Sequence, residues 1–443
     1  MHFRPGEVRG NMHTSYSVSP PAVYAHRSVV EEPRYRERLD RVVAACANAP
    51  EVWVYDDADL PRMLGEEGLL AGRVRMGTLD DPPDPILLFN TFRFDGRAAE
   101  GLKRLEPFCP PGDNAAGALA GYGAFVWWSA DRIGATRICR PCWRLHFQNG
   151  CLHKCHYCGL GGLLVTMVNV EDWLERLDAL IAAHPWQETF LLEDDAEVLC
   201  LEPELGCIGP IIEHFGTLDG RYVVLHSKSA NVDWMLDLPH NGNTIVVWSL
   251  AGPTQARLFE PVAATSEERI DAARKLHDAG YTVRYKFKPI IPVRGWREEA
   301  AETVAEVFRR TRPDQISLCT FMWLSCEQME ACLDVEQLDP AFVEAARSSV
   351  SEMRDEQTRP FPQAVRAEVY RHYLAEIRKH DADIPVALST ESPAIWRELG
   401  AELGYSAMDY VCGCGPNSTP GRRRLACHPY RDAAGPFGGF ERM

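Results

Sequence analysis

The sequence predicts an α/β fold: a partial (β/α)6 parallel barrel with α+β extensions on its N-terminal and C-terminal sides. Three observations predict it. From Trp143 onward, short apolar runs of strand composition alternate with amphipathic stretches, the pattern of parallel strands joined by crossover helices. Those stretches carry helix start and stop signals. A cysteine-rich loop follows the first strand directly, and in such barrels chemistry collects at the C-terminal ends of the strands. The expected organisation is an N-terminal extension over residues 1–138, the barrel over 139–345, and a C-terminal extension with a cysteine-containing loop over 346–443.

In the first extension, Arg34 to Ala49 has apolar residues at helical spacing and ends at Pro50, and Val52-Trp53-Val54-Tyr55 has strand composition. Trp143 to Phe147 is the first barrel strand. Asp172 to Ala183 places Leu174, Leu177, Leu180 and Ile181 on one helical face. Thr189–Leu192, Tyr222–Leu225 and Thr244–Leu250 read as buried strands. Thr265-Ser266-Glu267-Glu268 forms a capping box for a helix with Ile270, Ala273 and Leu276 inward, stopping at Gly280. Tyr281 to Ile291 is the next strand and Ala301 to Arg310 the next helix. The tail adds a helical stretch, Arg366 to His380, and a strand signal, Ile384 to Leu388.

With 443 residues and 46% hydrophobic content the chain can bury a sizeable core. No run of 18 apolar residues occurs, so no membrane span is expected. The N-terminus lacks the apolar core of a signal peptide. Fifteen cysteines in such a chain point to a reducing cytoplasm, where thiols bind metal or stay free. Net charge is −16, whereas nucleic-acid binding relies on Lys and Arg to neutralise phosphates. The run Arg422-Arg423-Arg424 reads as a solvated tail. There is no P-loop, no G-x-G-x-x-G after a strand and no H-E-x-x-H.

Chemistry concentrates in Cys151, Cys155 and Cys158, spaced C-x3-C-x2-C. Such a loop can set three thiolates on three corners of an iron–sulfur cube and leave the fourth iron open. Zinc, with His153 or His156 as fourth ligand, is the competing reading. A second set, Cys139-Arg140-Pro141-Cys142 and Cys412-Gly413-Cys414, flanks the barrel and offers four more thiolates if the pairs meet. That would suffice for a second iron–sulfur cluster or a zinc site, with Cys427 and His428 as spare ligands.

The cysteine triad, together with Lys228-Ser229-Ala230-Asn231, Leu236 to Gly242, Trp248-Ser249-Leu250, Phe259-Glu260, Ser266 to Ile270 and Pro289 to Pro292, resembles the spore photoproduct lyase branch of the radical S-adenosylmethionine (SAM) enzymes. The resemblance implies a [4Fe–4S] cluster whose open iron is chelated by SAM. It implies reductive cleavage of SAM to a 5′-deoxyadenosyl radical that abstracts a substrate hydrogen, with a reductase partner such as flavodoxin or ferredoxin. By position Lys228 and Ser249 would contact SAM, and Tyr157 would lie near its adenine. Glu193, in Glu193-Asp194-Asp195 after a strand, would bind the SAM amino group; its alternative is a solvated acidic turn.

The resemblance thins in the substrate half. Where the lyase has a hydrogen-donating Cys the alignment puts Asp194, and Gly159 stands where a Tyr follows the third cluster cysteine. Thr320-Phe321-Met322-Trp323 replaces the lyase's His-Arg-Phe-like run. Cys200, Cys207 and Cys319 are substitute donors or small buried hydrophobes. A small-molecule substrate is therefore expected, with a DNA photoproduct lyase-like repair enzyme as the alternative.

Overall fold

The computed structural model describes residues 2–3, 18–109, 113–123, 125–129, 137–140 and 142–425; Cys427 and His428 lie outside these. The N-terminal segment contributes β1 (His2–Phe3), β2 (Val23–His26), β3 (Val52–Tyr55), β4 (Ile86–Asn90) and β5 (Val126–Ser129). Around the cysteine loop come β6 (Cys142–Leu145), β7 (Gln148–Asn149) and β8 (Leu163–Met167). The remaining strands are β9 (Thr189–Leu192), β10 (Tyr222–Ser227), β11 (Thr244–Leu250), β12 (Thr282–Ile290), β13 (Ile316–Thr320) and β14 (Val386–Leu388).

Two sheets result. The larger has the order β14-β13-β12-β11-β10-β9-β6-β5, with every pair parallel except β5–β6. It is the curled half-barrel that alternating strands and crossover helices require. β13 is buried along its whole length, as a strand covered on both faces must be. The ladder between β12 and β13 shifts register between Phe287 and Ile290, where Pro289 has no N–H to donate. The smaller sheet runs β1-β3-β2-β4-β8-β7.

Local signals survive folding where packing agrees with them. Val52–Tyr55, Thr189–Leu192 and Thr244–Leu250 are strands with the expected bounds. The capping box forms, with Thr265 accepting from Glu268 N and the Glu268 carboxylate from Thr265 N, and it starts a helix over Ser266–Asp278. The helix expected from Asp172 begins at Val170 and buries Trp173, Leu177 and Leu180, while Leu174 and Ile181 sit at the edge of that face. The helix expected from Ala301 starts five residues earlier, at Trp296, because Gly295 at φ 77° turns the chain into it.

The boundaries at 138 and 345 do not coincide with the sheet edges. β8, beyond the cysteine loop, pairs in parallel with β4 of the N-terminal sheet, and β14, from the tail, adds a seventh parallel strand beside β13. The cysteine-containing segment near the end of the described chain is also part of the barrel. Arg284 on β12 donates to Gly413 O and Ser418 O at 3.0 and 2.6 Å, and Glu188 and Thr189 donate their N–H groups to Pro416 O. Cys414 packs against Leu191, Val224 and Val247, so this segment fills the concave side of the sheet from below. Among the described residues, no helix is long and apolar enough to cross a membrane.

Candidate active site

A cavity of about 570 Å³ opens above that plug, at the C-terminal ends of the barrel strands. Cys151, Cys155 and Cys158 line it together with Tyr157, Glu193, Lys228 and Ser249, so the fold gathers every residue the sequence singled out for a cluster and SAM.

The cysteine loop is held from both sides. Gly150, at φ 117°, donates to Asp195 O at 2.9 Å, and a Cβ there would stand 2.0 Å from Leu163 O, so only glycine fits. Met76 N and Gly77 N, from the N-terminal segment, donate to Cys158 O and His156 O. A Cβ on Gly77 would lie 2.1 Å from Cys332 O, which shows how closely the loop is wedged against both neighbours.

Beside the triad lies a buried charge network. Lys228 Nζ is 2.9 Å from Glu260 Oε1 and 3.9 Å from Cys155 Sγ, and it also donates to the Tyr157 hydroxyl, which in turn donates to Glu260. Arg269 closes the network at 2.5 Å from Glu260 Oε2. Burial opposes ionisation of Glu260, but the Arg269 and Lys228 charges overcome it and hold the carboxyl at about 2. The Lys228 ammonium is thus aimed at the cluster edge by a carboxylate that never titrates near neutrality.

Glu193 takes another part than the sequence suggests. It sits at φ 64° and 1% exposure, and its Oε1 accepts from Phe147 N and, at 2.7 Å, from Gln148 N, while Oε2 lies 2.9 Å from His146 Nδ1. Its carboxylate is spent on the backbone leading into the cysteine loop, so it lines the cavity as an organiser of that loop. Glu197 does similar work on the next strand, accepting from Ser227 Oγ and Lys228 N at 2.7 Å each. Burial raises its pKa.

The donor set fits an iron–sulfur cluster. Three thiols share one loop at the cavity wall. Among the described residues no three His, Cys, Asp or Glu side chains close on a point as they would around a single ion. His153, the candidate fourth zinc ligand, has Nδ1 3.7 Å from Glu197, and burial followed by the Arg269 and Lys228 charges pushes its pKa down to about 3.

Comparison with known proteins agrees with this geometry. Residues 141–326 match the family model described as spore photoproduct lyase. The chain is 31% identical over 159 residues to a spore photoproduct lyase of Bacillus subtilis (strain 168), covering 34% of this chain and 46% of that protein. It is 27% identical over 179 residues to one of Geobacillus sp. (strain Y412MC61), covering 39% and 52%. The chain thus spans about half the length of the curated relatives it matches. A solved spore photoproduct lyase variant with bound AdoMet and dinucleoside spore photoproduct superposes at TM-score 0.55 and 17% identity, over 85% of this chain and 100% of that one. Another variant superposes at TM-score 0.60 and 16% identity, over 85% and 100%. The core of this chain belongs to the spore photoproduct lyase-like branch of the radical SAM superfamily.

Set against that branch, the departures have structural explanations. Asp194, at the place of the lyase's hydrogen-donating Cys, is ion-paired with Arg144. Cys200, Cys207 and Cys319 are buried outside the cavity, whereas Cys139, Cys412 and Cys414 line it. Sequence reasoning passed over a column of cations on β12: Arg284, Lys286 and Lys288 recur at period 2 and share one face of the strand, the one turned into the barrel. Lys286 and Lys288 both line the cavity, and among the described residues neither has a carboxylate within ion-pair distance. Burial, then the neighbouring Lys286 charge, lowers the Lys288 pKa to about 8. Its Nζ lies 4.5 Å over the ring of Trp323, which is 38% exposed and held at φ 71°.

Proposed function

We propose that this chain is a radical SAM lyase acting on a thymine photoproduct of the spore-photoproduct type, as an anionic dinucleotide within or released from DNA. The observation that carries the reading is the cavity itself, with a cluster-binding triad at one wall and cationic and aromatic side chains without carboxylate partners at the other. A bound [4Fe–4S] cluster with SAM would supply the hydrogen-abstracting radical. Cys151, Cys155 and Cys158 would hold the cluster, and an external donor such as flavodoxin or ferredoxin would supply the electron. Lys228, oriented by Glu260, would pair with the SAM carboxylate. Tyr157 would pack near the adenine and Ser249 would hydrogen-bond the nucleoside or methionyl part. Glu193 would fix the entry to the cysteine loop.

The rim of the cavity suits a nucleotide. Arg75, Arg137 and Lys288 bring positive charge, and Trp323 offers a ring face to a base. The whole-chain charge of −16 hides this local excess. A small-molecule substrate, expected from that charge, has no comparable support in the relatives the chain matches.

Binding separates the two contributions. Lys288→Ala should weaken a spore-photoproduct dinucleotide roughly tenfold and leave the phosphate-free dinucleoside nearly unchanged. Trp323→Ala should weaken both, by about 1–3 kcal/mol for a lost stacking contact. Equal affinity of wild type and both variants for both ligands, measured by calorimetry on the SAM-loaded protein, would remove the lesion reading.

A further inference from the structure

The floor of the cavity holds a second cysteine set that the proposed reaction does not use. Cys139, Cys412 and Cys414 line the cavity below the triad, and Cys142 opens β6 beside them. Cys412 and Cys414 Sγ lie 3.8 Å apart. Two thiolates sharing one tetrahedral metal at about 2.3 Å stand roughly that far apart.

The two halves of the set come from segments far apart in sequence, and the fold ties them together. Arg140, inside the first pair, stacks 4.2 Å over the ring of Tyr410 and donates to Tyr410 O at 2.9 Å. Gly413 and Gly415 allow the second pair to approach. A Cβ on Gly413 would meet Gln315 Oε1 at 2.8 Å, and one on Gly415 would stand 3.0 Å from Cys412 Cβ. Arg144 reaches both cysteines of the first pair, at 3.6 Å from Cys139 Sγ.

The surroundings are cationic in a way free thiols do not require. Lys286 is 7% exposed, faces Cys414, and has no carboxylate partner among the described residues. His226, on the neighbouring strand, keeps a buried Nε2 without a hydrogen-bond partner. Burying such an ammonium without a counter-charge is costly. Four thiolates around an iron–sulfur core leave net negative charge at this spot, which would offset it.

We propose that Cys139, Cys142, Cys412 and Cys414 hold a second iron–sulfur cluster, fully ligated by protein and buried in the barrel below the SAM-binding one. With all four thiolates engaged it would have no open iron for SAM. This inference does not depend on the substrate reading above.

The test uses the full chain, reconstituted without oxygen with iron and sulfide. A Cys151→Ala/Cys155→Ala/Cys158→Ala variant should keep iron with matching sulfide and a cluster absorbance. Adding Cys412→Ser and Cys414→Ser should remove what remains. A triad-less variant that folds by circular dichroism yet holds no iron would overturn the proposal, as would zinc in place of iron or iron retained after the second pair is changed. Should the combined variant fail to fold, the wild-type protein decides: iron and sulfide beyond one [4Fe–4S] cluster support the second centre, and one cluster's worth overturns it.

Discussion

Replacing Cys155 by Ala is expected to abolish reductive cleavage of SAM while leaving the fold in place. Cys155 is buried at 6% exposure in the middle of the loop, and its thiol faces the Lys228 ammonium at 3.9 Å. Removing it takes away one of three thiolates that only this loop presents to the upper cavity. The loop itself is held by backbone bonds, from Met76 N and Gly77 N and from His156 N to Phe259 O, which an Ala leaves intact. Anaerobic incubation with SAM and dithionite, followed for 5′-deoxyadenosine, should show no product above background. Cleavage at the wild-type rate would contradict the assignment of the triad.

The second large effect concerns Glu260. Its side chain is fully buried and answers both Lys228 and Arg269, itself buried completely. Glu260→Ala leaves two cations facing one another without a counter-charge and should destabilise the protein by about 3–5 kcal/mol. Denaturant midpoints would measure this. The pH dependence has a definite sign. The folded carboxyl is held at about 2, below its ordinary value near 4.5, so its contribution is fully present above the ordinary value and is lost as pH falls through the folded one. The wild type and the variant should therefore converge in stability between about pH 4.5 and 2. A Glu260→Ala protein as stable as the wild type at pH 7 would show that the network has no structural weight.

The elements readable in the sequence are those whose signals are local. The capping box at Thr265–Glu268 and the strand Thr244–Leu250 announce themselves because short-range chemistry and burial agree there. The cysteine loop is legible for the same reason, since its ligands lie within eight residues. What escaped is set by long-range packing. Nothing near Val386–Leu388 reveals that it extends the barrel, nor near Cys412–Cys414 that it plugs it, because both partners lie far away in sequence. Glu193 shows a different limit: three acids in a row resemble a solvated turn or a ligand-binding tip, and only the fold shows the first turned inward onto Phe147 and Gln148. Lys286 and Lys288 were within reach, since a strand over Tyr281 to Ile291 puts them on one face by period alone. Net charge drew attention away from them, because a sum over 443 residues cannot show where two lysines sit.

The measurement that bears most directly on the proposed activity is repair itself. The protein, reconstituted anaerobically and supplied with SAM, dithionite and a spore-photoproduct dinucleotide, is followed by mass spectrometry for 5′-deoxyadenosine and released thymine dinucleotide together. Release of thymine dinucleotide dependent on SAM is the predicted result. Formation of 5′-deoxyadenosine with the lesion left intact would contradict it.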